Sequence, residues 1–123
     1  MSVVTAVDTD GLNLVVLVGE VSSPLVTRTL ANGDIASSFD IATLTEDGRL
    51  TVPISIIGES EVVMVGAHIC IVGAVCRRFF RAGGSVTSRT EVLASSVISM
   101  RRKAQVRKAL DHSIENLLTI QGG

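Results

Sequence analysis

Four arginines, Arg77, Arg78, Arg81 and Arg89, gather around a predicted hairpin that also carries Phe80. Guanidinium groups grip phosphates and phenyl faces stack on bases, so this combination has the makings of sequence-independent contact with a nucleic-acid strand. A second basic group follows at Arg101, Arg102 and Lys103, while only Arg28 and Arg49 precede the cluster. The overall charge hides this arrangement. Residues 1–76 hold two basic side chains against nine acids and residues 77–123 hold nine against three, so a net charge of −1 conceals halves of −7 and +6. Such segregation suits a polyanion partner or, equally, a self-complementary contact between copies of the chain.

Other chemistries lack their residues. The sequence contains no P-loop, no nucleophile elbow and no histidine and cysteine at catalytic spacing, and Asp111 and His112 are neighbours on a predicted helix and point in different directions. The two histidines, His68 and His112, are too far apart in sequence for a zinc site. Cys70 and Cys76 lie six apart on a predicted strand, about 20 Å at ~3.3 Å per residue, which no disulfide spans. They read as small apolar residues. No enzyme activity, cofactor, metal or small-molecule substrate is expected. The longest nearly uncharged run, 62–76, has fifteen residues, against the roughly 20 that a spanning helix needs. With Asp8 and Asp10 and no basic residue at the N-terminus, the expectation is a cytoplasmic protein with no membrane contact.

The elements that must position these residues are mostly strands. A chain of 123 residues with 46% hydrophobic content, mean hydropathy +0.49, three Phe and no Trp or Tyr calls for one domain with an aliphatic core. Strands are predicted at Leu12 to Val21, Ser38 to Leu44, Leu50 to Ile57 (marred by Pro53), Ile69 to Phe80 and Val86 to Met100, with turns at Asn32-Gly33, Glu46-Asp47-Gly48 and 81–85. Between Gly58 and Gly66 there is room for at most two helical turns. From Arg101 to Ile120 the period changes, and Val106, Leu110, Ile114 and Leu117 recur at helical spacing. The fold class is therefore all-β, a five-stranded OB-fold Greek-key barrel with a C-terminal helix. Its divisions are an arm at 1–11, the barrel at 12–100 and a basic, amphipathic helix at 101–123.

Alternation along the fourth predicted strand places Ile69, Ile71, Val75 and Phe79 inside the barrel and Cys70, Val72, Ala74, Cys76, Arg78 and Phe80 outside. Phe80 becomes the stacking residue, Phe39 a core residue. The outward apolar row of Val72, Ala74 and Cys76 predicts association into a homodimer or homotetramer.

Several short motifs, in order, resemble the bacterial single-stranded DNA-binding protein family. They are Leu17-Val18-Gly19-Glu20-Val21 with Pro24, the turn Asn32-Gly33, Phe39-Asp40-Ile41-Ala42-Thr43, Ile54-Ser55-Ile56-Ile57-Gly58-Glu59, Val65-Gly66, Ile69 to Val75 around Gly73, Arg78 with Phe80, and Thr90-Glu91-Val92. The likeness covers roughly Leu12 to Met100. Where that family carries a Trp, a basic residue and an aromatic on its third strand, this chain has Thr51, Pro53 and Ile57. The helix before the fourth strand is shorter, and a basic helix stands in place of a flexible tail with an acidic tip. The resemblance is thus to a divergent member, nearer the short primosomal relatives. It implies sequence-nonspecific binding of single-stranded DNA in replication, repair or recombination, by oligomers. The residues expected to carry it are Arg28, Arg77, Arg78, Phe80, Arg81, Arg89, Arg101, Arg102 and Lys103. The competing expectation is an OB-fold assembly protein that has lost its DNA-binding face.

Overall fold

The computed structural model describes residues 11–122, without the side chains of Phe80, Ala82 and 117–122. Six strands and one helix follow in chain order: β1 Val15–Val21, β2 Val26–Thr29, β3 Ile35–Thr45, β4 Gly48–Ile57, β5 His68–Ala82, β6 Ser85–Ser99 and α1 Lys103–Gly122. β1 pairs antiparallel with β5 and, at Glu20↔Ala42 and Val21↔Ile41, with β3. β3 pairs with β4 and β5 with β6 along their lengths, and a parallel bridge of two residue pairs, Ile54↔Val92 and Ser55↔Leu93, joins β4 to β6. The circuit β1-β3-β4-β6-β5-β1 closes a five-stranded barrel. β2 lies outside that circuit, on the free edge of β3.

The core is aliphatic, as the composition requires: Val21, Ile41, Ile54, Ile56, Ile69, Ile71 and Val92 fill the barrel with Phe39. Two glycines let backbones cross at van der Waals distance. A Cβ at Gly19 would run into the Ala42 carbonyl where β1 leaves β5 for β3, and one at Gly73 would meet Leu93 and Ala94 beside the register shift that bulges β6.

Several expectations need correction. The strand β2 has only four residues, all exposed, so no burial pattern announces it. The 58–67 connection forms turns and no helix, because its own backbone bonds close short loops (Ala67 N–H to Met64 O, 2.9 Å). Arg101 and Arg102 precede α1, whose first helical bond runs from Val106 N–H to the Arg102 carbonyl. The outward row is not bare: Cys70 is fully buried and Val72, Ala74 and Cys76 are half-buried. The helix α1 packs against β5 and β6, with Val106 and Ser113 buried on its inner face. Val75 and Phe79, expected inside, are 45% and 69% exposed. The 1–11 arm lies outside the described residues except for Gly11.

Candidate nucleic-acid interface

β5 and β6 are each 15 residues long, while the barrel's other three strands have 7 to 11. The surplus leaves the barrel as a two-stranded arm, paired from Cys76↔Glu91 to Ala82↔Ser85 and closed by Gly83 and Gly84, both at positive φ. Alternation continues along the arm, but there is no barrel interior for either face to enter. Phe79 is therefore exposed, and the parity that buries Ile69 and Ile71 puts Arg77, Phe79 and Arg81 in one row at the surface.

At the root of the arm Asn13 substitutes for a strand residue: Val75 N–H donates to its Oδ1 at 2.8 Å and its Nδ2 donates to the Val75 carbonyl at 2.7 Å. Past that clamp β1 contributes nothing to β5, and among the described residues the β5 edge of the arm has no neighbouring strand.

The two faces of the arm differ in charge state. Arg78 and Arg89 stand directly opposite each other, a repulsive placement that two acids offset. Arg78 Nε lies 2.6 Å from Glu91 Oε1, with side chains 27% and 4% exposed. The contact is ionic in character, since that oxygen has no partner at hydrogen-bond angles. Arg89 Nη2 is 3.8 Å from Asp40 Oδ1, a half-exposed pair of small energetic weight. Across the ribbon, Arg77 and Arg81 have no acidic partner within 4.0 Å among the described residues. One face neutralises itself and the other keeps its charge, with an aromatic ring between the two cations. Burial, and secondly the Glu91 carboxylate, push the Cys76 thiol up from its ordinary pKa, and burial alone does so for Cys70.

The remaining candidates separate. Arg28, exposed on β2 opposite Ala36, shares the outer face of the sheet with Asp40, to which Arg89 reaches. Thr51, Pro53, Ser55 and Ile57 alternate onto that same face of β4, so it carries no aromatic among the described side chains. Phe80 is placed by its backbone opposite Thr87, and its side chain lies outside the described residues. Arg101, Arg102 and Lys103 lie at the far end of the ribbon, where Met100 N–H bonds the His68 carbonyl. The 15 residues of β5 put roughly 45 Å of strand between that end and the arm's tip.

Sequence reasoning missed Phe79, and strand length was the signal that would have found it. Strands in globular proteins rarely exceed about 10 residues, so a run from Ile69 to Phe80 answered by one from Val86 to Met100 had to overshoot a small barrel. Among the described residues no three His, Cys, Asp or Glu side chains gather to hold a metal, and no helix is long and apolar enough to cross a membrane.

Among solved structures the chain is similar to the N-terminal domain of the PriB protein from Thermoanaerobacter tencongensis, solved as a dimer, with a TM-score of 0.54 and 22% identity over 71% of this chain and 94% of that one. The barrel is an OB-fold. At this identity the likeness shows the fold alone. No family model and no curated protein matches the sequence.

Proposed function

We propose that the chain is a non-catalytic, sequence-nonspecific single-stranded DNA-binding protein of replication, repair or recombination, which holds the strand on the row Arg77, Phe79 and Arg81. That row carries the reading: cations flank an exposed ring on alternate residues of a protruding ribbon, the pairing of phosphate contact with base stacking that single-strand binding requires. The resemblance to the single-stranded DNA-binding family supports it, and so does the shared fold. Arg28 and Arg89 lie across the ribbon from that row, on the outer sheet face, and stand outside the proposed contact. Arg78 serves mainly as the partner of Glu91. A homodimer belongs to the same proposal, supported by the dimeric PriB domain and by the exposed Ile57 and Leu93 beside half-buried Ala74. So does a cytoplasmic setting, where two free thiols persist.

Titration of labelled oligo-dT at two salt concentrations tests it. The Phe79→Ala variant should lose about 1–3 kcal/mol of binding, the worth of one stacked base. Removing Arg77 and Arg81 should flatten the salt dependence by ~0.7 per lost phosphate contact. No binding by the wild-type chain at low salt would sink the reading. The assembly-protein alternative would then stand, favoured by the non-aromatic outer face of Thr51, Pro53 and Ile57.

A further inference from the structure

The pole of the barrel opposite the arm carries a groove of about 710 Å3 between the 58–67 connection and the β6–α1 junction. Its size falls in the range of about 300–1,000 Å3 that small ligands and short peptide segments fill. Apolar side chains supply one wall: Met64 is 67% exposed, Val65 62%, and Val62 and Met100 are half-buried. Arg101 and Lys103 supply the other.

The exposure of Met64 and Val65 is built in. Val63, immediately before them, is 6% exposed and sits in the core, which pins the loop from within. Gly66 N–H donates to the Val21 carbonyl and Val21 N–H to the Ala67 carbonyl, both at 2.9 Å, so the loop is stitched to β1. With the backbone fixed, neither Met64 nor Val65 can turn inward. The basic wall is fixed too, by Arg101 N–H to Ser99 Oγ at 3.2 Å and Arg102 N–H to the Ser99 carbonyl at 3.0 Å. Glu59 and Glu61, on the same connection, do not line the groove, and His68, which does, faces Glu20 at 3.7 Å. The charge presented to an occupant is positive.

We propose that this groove docks a short segment of a partner protein that combines large apolar side chains with Asp or Glu. Charge complementarity selects the acids, and the rigid display of Met64 and Val65 selects the apolar residues, with methionine adapting to their shapes. A nucleic-acid strand fits less well, because the lining offers no aromatic ring for bases to stack on and sets apolar surface against a phosphate backbone. The inference does not rest on DNA binding by the arm. It gives Arg101 and Lys103 a role that their distance from Phe79 denies them in the arm's own contact.

Selection of a random-peptide phage library on the intact protein tests the groove. Enriched sequences should combine large apolar residues with Asp and Glu. Labelled synthetic copies should bind the wild type and lose at least about tenfold in affinity to Met64→Ser, and likewise to the double variant Arg101→Glu, Lys103→Glu, each shown to be folded by circular dichroism. Met64→Ser should leave oligo-dT titrations unchanged. Failure to enrich such peptides, or equal affinity for Met64→Ser and wild type, would overturn the proposal. Displacement of the bound peptides by oligo-dT would overturn it as well, by returning the basic wall to the DNA.

Discussion

Glu91 is 4% exposed and faces Cys76 across the ladder, with Arg78 one diagonal step away, so a single acid sets the state of two neighbours. A buried ion pair adds little net stability, but removing one partner strands a charge out of water. Arg78 is therefore committed to the protein, although the sequence offers it on the same terms as Arg77. The thiols give a pH signature. Their protons are held more tightly in the folded chain than in the unfolded one, because burial disfavours the thiolate, and Glu91 adds to this at Cys76. As pH rises past the ordinary thiol pKa, the unfolded chain ionises first and binds fewer protons, so stability falls with pH in that window and is complete below it. Thermal melts should show a flat midpoint through neutral pH and a decline above the ordinary thiol range. That decline should be shallower in Cys70→Ala, and an unchanged slope there would remove the buried thiol as its cause.

At the scale of elements, the barrel and the arm are separable. Every described side chain from 79 to 88 is exposed, and none belongs to the core. Replacing residues 79–88 by Asn-Gly, which joins the directly paired Arg78 and Arg89 in a tight hairpin, should leave the thermal midpoint unchanged and abolish oligo-dT binding. Gly73 is the opposite case. A methyl group there would collide with the backbone of Leu93 and Ala94 at the bulge, so Gly73→Ala should cost about 1–3 kcal/mol in urea denaturation. The sequence makes the five barrel strands legible because runs such as Leu12 to Val21 and the alternating Ser38 to Leu44 carry their burial in residue type. It hides β2, whose Val-Thr-Arg-Thr is exposed throughout and held by pairing to β3 alone. Phe79 was hidden differently. Its parity is right and its surroundings are absent, since a periodicity tells which face a residue takes and not where the barrel ends. The start of α1 was blurred because Arg101 and Arg102 continue a helical pattern that the Ser99 contacts interrupt.

For the whole molecule, the sequence's charge split becomes a split in space, with one cationic group on the arm and another at the far pole. Halves of −7 and +6 thus do not make one basic face. The parallel contact between β4 and β6 has a consequence in time. It is two residue pairs long and joins strands distant in sequence, whereas β3–β4 and β5–β6 are hairpins that need only close short loops. The hairpins should form first and that seam last, since the entropy of ordering the chain between its ends falls due before its few contacts reward it. Two valines of β6 isolate the effect: Val97 meets Ile71 within the ribbon, while Val92 also sits on the seam opposite Ile54. In stopped-flow chevrons Val97→Ala should slow folding, and Val92→Ala should act mainly by speeding unfolding. The same rate effects for both would mean that the barrel closes before the transition state. If the seam does form last it also opens first, and the lifetime of the folded barrel is then set by one of its two shortest ladders.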